Sequence, residues 1–454
     1  MKRNQPHFFQ GGIHPRDRKG RTRLKSINVA PLLEKYTVSL SQNIGAPPKL
    51  IVSPGDEVKK GQVLAEASGF VSVPIHSPTS GTVKMITTCP GAMGTPVPAV
   101  EIVADGEDEW GSPLKPIENW NVASSDDLKQ RIVDAGIVGM GGAAFPTHVK
   151  LSPPEGAKID TLIINGAECE PYLTADHRIM LETPEKVVEG AAILGSILGV
   201  KKIIIGIEDN KKNAIKLLRF KARGTGIKVG GLHVQYPQGA EKQLIYALTG
   251  RKVPTGGLPL EVRCVVQNVA STAAVADAVV RGWPLIDRIT TVTGTPVVNP
   301  GNWRFKIGTP VAEALKLCGG VDKAPGKVIL GGPMMGFAQK TLDVTITKNS
   351  SGILLLSEKE IDQYGSDPCI HCGRCVRTCP MNMLPSTISM AVESERYDVA
   401  EKVHAACCME CGACTYACPA HRPLTQHCRL AKAVFAARAA EKAASRSKKE
   451  DQSK

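Results

Sequence analysis

No uninterrupted apolar stretch in this chain reaches about 18 residues, the rough minimum for a membrane-spanning helix. The most apolar region, Val187 to Ile207, is broken by Glu189, by glycines and by the Lys201-Lys202 pair. A secretory leader is also missing: the N-terminus is basic, but no apolar core follows it. These two absences predict a soluble or peripheral, intracellular protein. Aromatic residues are scarce, at 4%, whereas the chain holds 44 glycines and 32 prolines. That balance suits α/β and β-rich units joined by many turns. At 454 residues the chain is too long for one core, and about three to five domains are expected.

Acidic residues are in deficit. Against 56 Lys and Arg stand 43 Asp and Glu, a net charge of +13. The surplus invites a nucleic-acid reading, and its distribution argues against one. Residues 1–25 carry eight Lys/Arg against Asp17, and residues 438–454 carry six against three acids. Most of the surplus therefore lies in two ends expected to be mobile, around a near-neutral middle. Basic ends on a balanced body suit an anionic membrane surface or an acidic partner, with no nucleic acid expected.

Fourteen cysteines without a leader argue against a disulfide scaffold. Cys89, Cys169, Cys264, Cys318 and Cys428 are scattered and read as small buried apolar residues. Eight others form two near-copies of one run, C-x2-C-x2-C-x3-C-P. The first is Cys369, Cys372, Cys375, Cys379 and Pro380; the second is Cys408, Cys411, Cys414, Cys418 and Pro419. This run wraps [4Fe–4S] cubes: three thiolates of one loop meet one cube, and the fourth is carried to the other. The expected ligand sets are therefore Cys369, Cys372, Cys375 and Cys418, and Cys408, Cys411, Cys414 and Cys379. Zinc also uses C-x2-C pairs, but a doubled run with both prolines is specific for cubes. Cys407 adjoins Cys408, and the spacing favours Cys408.

Along the chain, the expected fold class is multidomain α/β + β. Residues 1–35 read as a basic, extended arm. Residues 36–105 carry turn glycines between short β-branched runs, which predicts a small sandwich or barrel. Two pieces, Gly55-Asp56-Glu57-Val58 through Leu64 and Ser77-Pro78 through Val83, resemble the biotinyl/lipoyl fold. Its carrier lysine is missing between Glu66 and Ile75, so a structural copy is expected, not a swinging arm. Residues 122–288 alternate strand-like runs (161–165, 202–206, 264–266) with helix-like ones (184–198, 211–223, 242–250), which predicts a parallel sheet. Residues 289–345 turn β-rich again, with a short helix over 311–317. Residues 346–430 hold the cysteine runs in a ferredoxin-like, helical unit. Residues 431–454 read as a basic, largely disordered tail, helical at first and then frayed.

Two further motifs stand in the α/β region. Gly139-Met140-Gly141-Gly142-Ala143-Ala144-Phe145-Pro146-Thr147-His148-Val149-Lys150 would bring backbone N–H groups and one ammonium to a phosphate or ring system. Asn165-Gly166-Ala167-Glu168-Cys169-Glu170-Pro171 follows a strand, at the end where such sheets place ligands. Asn165, Glu168 and Glu170 there would hydrogen-bond flavin, ribose or nicotinamide.

In this order, these parts look like the NADH-binding flavoprotein subunit of respiratory complex I. With the biotinyl-like domain and the doubled run, the chain more fully resembles the C subunits of the Rnf/Rsx ion-translocating oxidoreductase complexes. Residues 289–345 resemble the β-grasp, soluble-ligand-binding unit of both families. The resemblance implies a non-covalent FMN, NAD(H) as substrate and two [4Fe–4S] clusters. It implies an FMN cradle of Gly139, Gly141, Gly142, Ala143, Lys150, Asn165 and Asn268. Phe145 and Glu170 would lie against the nicotinamide nucleotide, and Glu170 and Lys150 would hold the catalytic positions. Tyr236, Gly239 and Glu241 follow from a stretch similar to Y-x-x-G-E-E. Ala240, Gln267 and Ala167 depart from the complex I pattern at positions that bear on the nucleotide.

The activity implied is electron transfer between NAD(H) and ferredoxin-type carriers, coupled to ion translocation by membrane-embedded and peripheral partner subunits, on the cytoplasmic face of a bacterial inner membrane. The alternative is a stand-alone ferredoxin-like carrier without nucleotide chemistry.

Overall fold

The structure, a computed structural model, describes residues 8–361 and 365–452. At its centre is a four-stranded sheet in the order 228–232, 202–208, 161–166, 264–268, with every neighbouring pair parallel. The strands are isoleucine- and valine-rich because both faces are covered. Ile163, Ile204 and Val266 pack under the helix Glu241–Thr249, and Leu162, Ile164, Ile205 and Ile207 pack on the opposite face. Pro184–Leu198 and Val269–Val280 lie together on that second face. The first starts on Pro184 and stops at left-handed Gly199, as fixed φ and a missing Cβ dictate. The register sets Asn165 between Gly206 and Asn268. Two candidate side chains thus share the sheet's C-terminal edge.

Residues 35–104 form two antiparallel sheets, one of strands 35–39, 96–104, 81–90 and 57–58, the other of 49–50, 63–66 and 75–76. The lysine-free tip rests on the α/β unit through the Phe70 carbonyl, which meets His148 Nε2 at 2.8 Å.

The third sheet is six-stranded, in the order 27–29, 301–306, 287–294, 352–356, 327–330, 337–339. It overruns both limits expected for the β-grasp unit. Gly352–Leu356, expected in the cysteine-bearing unit, is an inner strand, and Ile27–Val29 comes from the arm. The arm from Phe8 onward is thus built into the body rather than mobile. Its cations account for this: Lys19 Nζ reaches the Leu173 carbonyl at 2.6 Å, Arg21 those of Gly294 and Val297, and Lys25 that of Pro300. Charge that appeared free in the sequence satisfies backbone acceptors. Residues 1–7 of that basic end lie outside the described residues.

The cysteine-bearing unit is helical, with short helices Arg374–Thr378, Pro385–Glu393, Tyr397–Lys402 and Ala413–Ala417. It ends in the helix Leu424–Gln452, so the helical start expected for this tail runs further than expected. Its alanine-, lysine- and glutamate-rich composition favours that state. The side chains of the tail's last cations, from Arg446 on, lie outside the described residues.

Candidate functional site

The two cysteine runs fold into two cavities, and each takes its fourth cysteine from the other run. One, here the inner cavity, is lined by Cys379, Cys408, Cys411 and Cys414, with Met381, Met383, Ile388, Met409 and Cys428. The other, the outer cavity, is lined by Cys369, Cys372, Cys375 and Cys418, with Ile370, His371 and Leu424. Gly373 and Gly412, at φ 70° and 80°, start the helices that carry the third cysteine of each run. Cys407 is absent from both linings.

The inner donor set is soft and sits in an apolar wall. Burial pushes the Cys411 thiol up to about 12 and that of Cys414 to about 11. Bare thiolates are therefore disfavoured there, and an iron core would supply the compensating positive charge. Among the described residues, no group of three or more His, Cys, Asp or Glu is arranged to hold a single metal ion. Cys428 lies against Cys408, and its hydrogen bond holds the Cys408 thiol below the usual thiol range. Its isolated position in the sequence gave no sign of this place.

The second candidate region lies at the C-terminal edge of the parallel sheet. The glycine-rich stretch folds back on itself: the Gly139 N–H donates to the Phe145 carbonyl at 2.8 Å, and Ala144 N–H donates to that of Gly139 at 3.1 Å. This exposes Gly141, Gly142 and Ala143 at the tip. A side chain at Gly141 would crowd Asn268 at 3.3 Å. Gly142 has φ +132° and open space where a Cβ would stand. Asn268 caps the helix Val269–Val280 and donates to Asp176 Oδ2 at 2.7 Å. Asn165 donates to the Gly239 carbonyl at 2.7 Å. Lys150 pairs with Glu241 and donates to the Val266 carbonyl at 3.3 Å. Gly139, Gly141, Gly142, Ala143, Phe145, Lys150, Asn165, Gly239, Glu241 and Asn268 are thus gathered at one edge. Beneath the loop, Asp176 Oδ1 and Arg288 Nε and Nη1 are buried without hydrogen-bond partners, while Arg288 Nη2 holds the Met140 carbonyl at 2.9 Å. An open glycine tip above unsatisfied buried polar atoms fits a bound phosphate-bearing ring system.

Three expected site residues are engaged elsewhere. Glu168 faces Lys19 at 3.6 Å and accepts the Asp176 N–H at 2.7 Å. Glu170 accepts the N–H groups of Met334 and Met335 at 3.1 and 2.8 Å, and burial raises its carboxyl to about 7. Tyr236 is 2% exposed, and its hydroxyl donates to the Cys411 carbonyl at 2.7 Å. These side chains join units together. Cys169 does likewise: it is held up to about 12 by burial and accepts the Gly239 N–H at 3.4 Å, as packing predicts.

Around Tyr236 the inner cavity is joined to the sheet's edge. Tyr236 exchanges both backbone hydrogen bonds with Ile13 of the arm, each at 2.9 Å. Gly12 N–H donates to the Thr378 carbonyl at 2.8 Å, next to Cys379. Gln243 reaches the Pro380 carbonyl at 3.0 Å. Ile13, Tyr236, Cys411 and Ala413 form one apolar cluster, with Cys169, Met334 and Met409 packed on it. The part played by the arm had no local signal in the sequence.

Comparison with known proteins agrees with this anatomy. Residues 7–107 match the RnfC barrel sandwich hybrid domain, 132–277 the Nuo51 FMN-binding domain, 289–338 the SLBB domain and 368–421 the 4Fe-4S dicluster domain. The chain is 48% identical to the C subunit of the proton-translocating ferredoxin:NAD(+) oxidoreductase complex of Clostridium ljungdahlii, over 87% of this chain and 86% of that one. It is 44% identical to the Na(+)-translocating counterpart of Acetobacterium woodii, over 93% and 96% of the two chains. It is 41% identical to the C subunit of the ion-translocating oxidoreductase complex of Rhodobacter capsulatus, over 96% and 85%. A chain of an NAD+-reducing [NiFe]-hydrogenase shares the fold, with a TM-score of 0.50 at 18% identity, covering 69% of this chain and 65% of that one. The chain belongs to the family of C subunits of ion-translocating oxidoreductase complexes.

Proposed function

We propose that this chain is the NAD(H)-linked electron-transfer subunit of a membrane-bound, ion-translocating complex. It exchanges electrons between NAD(H) and ferredoxin-type carriers by means of a non-covalent FMN and two [4Fe–4S] clusters. The observation that carries this reading is the pairing of cavity and edge: four cysteines of mixed origin, tied by Tyr236 to the glycine loop's sheet. Flavin accepts two electrons and releases them singly, which suits a hydride donor on one side and one-electron clusters on the other.

The residues divide the work. Gly141, Gly142 and Ala143 would lie under the flavin, with Asn165 and Asn268 as hydrogen-bonding groups at the strand ends. Glu241 holds Lys150 at the same edge, where its ammonium would face a phosphate. Phe145 closes the loop and would flank the nucleotide. Glu168, Glu170 and Tyr236 would act by positioning, through Lys19, the Met334-Met335 turn and Cys411. Cys379, Cys408, Cys411 and Cys414 would ligate the cluster next to the flavin, and Cys369, Cys372, Cys375 and Cys418 the one beyond it. Partner subunits in the membrane, a ferredoxin-type carrier and a cytoplasmic-face location complete the reading; no described helix is long and apolar enough to cross a membrane.

Anaerobic purification with iron, sulfide and flavin analysis, followed by NADH titration watched by EPR, tests it. About eight irons, bound FMN and NADH-dependent reduction are expected. Iron without flavin binding or any response to NADH would instead mean a stand-alone carrier.

A further inference from the structure

The near-neutral middle of the chain hides a strongly cationic face. Segment 201–228 holds nine Lys/Arg against two acids, a local net of +7 in a chain whose total is +13. One of those acids, Glu208, is buried against Lys211 at 3.2 Å, so neither contributes to the surface. Exposed beside Asp209 are five lysines and two arginines. Lys212, Lys216 and Arg219 stand on the solvent side of the helix Lys212–Lys221, whose other side buries Ala214, Ile215 and Leu218. Lys201, Lys221, Arg223 and Lys228 gather where the strands Lys202–Glu208 and Lys228–Leu232 begin, the latter an edge strand. Phe220, 56% exposed, sits among them, with the Arg223 guanidinium 5.1 Å from its ring centroid. From the neighbouring helix, Glu185 pairs with Lys221 at 2.6 Å.

We propose that this face seats the protein on an anionic bilayer surface, with Phe220 entering the headgroup layer. Three features favour lipid over a protein or nucleic-acid partner. Lysines outnumber arginines, and lysine is depleted at protein–protein interfaces, where planar bidentate recognition favours arginine. Mobile ammonium charges match a fluid layer of phosphates, each adding to the attraction. A single aromatic amid cations is the pattern of an interfacial anchor, whereas single-stranded nucleic acid is held by several stacking rings. Seated this way, the helix Lys212–Lys221 and the edge strand Lys228–Leu232 face the bilayer. The glycine loop, beside the opposite edge strand Cys264–Asn268, stays clear of it.

The inference goes beyond the redox reading and does not rest on it. The test uses the full chain with its cofactors and vesicles of phosphatidylcholine alone or mixed equally with phosphatidylglycerol, in co-sedimentation at low and high salt. Binding is expected to the mixed vesicles only, and to be lost near 1 M salt, where the Debye length falls to about 3 Å. The triple change Lys212→Glu, Lys216→Glu, Arg219→Glu is expected to weaken binding at least about tenfold. Phe220→Ala alone is expected to weaken it about fivefold. Deleting residues 1–7 and 446–454 is expected to leave most of it. Flavin and iron content and NADH response should not change in any variant; their failure in the parent protein would count against the redox reading alone. The proposal is overturned if the charge reversal leaves vesicle binding intact, if deleting the ends abolishes it, or if this face takes duplex DNA or an acidic protein while ignoring the vesicles.

Discussion

The inner and outer cavities are made from near-copies of one run, yet their surroundings differ. The inner one is enclosed by methionines and by Cys428, and three units converge on it: the arm at Gly12 and Ile13, the α/β unit at Tyr236 and Gln243, and the β-grasp turn at Met334. The outer one has an exposed cysteine, Cys372, and Ile370 is 66% exposed beside it. The same local code therefore serves two tasks. The run fixes what is bound, and the neighbours decide whether the site faces the interior or a partner. For iron–sulfur sites, burial and hydrogen bonds to the sulfurs tune potential, so two chemically alike sites become unlike.

The largest effects should come from breaking one cavity at a time. Cys411→Ala is expected to remove about four irons and to leave flavin bound. Cys372→Ala should also remove about four, but the remaining cluster should still be reduced by NADH. Iron, sulfide and flavin analysis with EPR distinguishes the two. Oxygen or chelator gives a milder version of the same contrast. The outer cluster's signal should disappear first, because Cys372 meets solvent, and simultaneous loss would show the cavities to be equally protected.

A wedge in the arm comes next. A Cβ at Gly12 would stand 2.6 Å from the Tyr236 carbonyl, and the residue has φ +75°. Gly12→Val is expected to cost about 2–4 kcal/mol, read as a lowered Tm. It should slow reduction of the inner cluster while sparing flavin reduction. The smallest change is Tyr236→Phe, which removes only the hydroxyl that meets the Cys411 carbonyl. About 0.5–1.5 kcal/mol of stability should go, with a shift in the inner midpoint potential and none in the outer.

The cavities were legible in the sequence because their determinants are local. Cysteine spacing sets which thiols one loop can offer, and the fourth crosses because it stands at the far end of the short helix that carries the third. The isoleucine-rich strands and the helix Pro184–Leu198 were legible for a similar reason: burial on both faces and terminal Pro and Gly are written in short stretches. The helix Val269–Val280 was not. Its alanines and valines are buried nearly all round, so no polar face marks the period, and valine favours strands on its own. The junction was not legible either. Ile27–Val29 pairs with Asn302, Trp303 and Arg304 from the far end of the chain, and Glu170 meets Met334 and Met335 across another long gap. A carboxylate in a motif and one satisfied by a distant turn look alike until the chain folds. The charge pattern misled for the opposite reason: the cations of the arm looked free, and those of 201–228 were lost in a neutral sum.

Stopped-flow mixing of NADH with the Cys411→Ala protein, with clusters followed by rapid-freeze EPR, tests the central claim most directly. The claim is that the inner site stands between the nucleotide's electrons and the outer one. Flavin should be reduced as in the parent protein while the outer cluster stays oxidised on that timescale. Reduction of the outer cluster at the parental rate would contradict it.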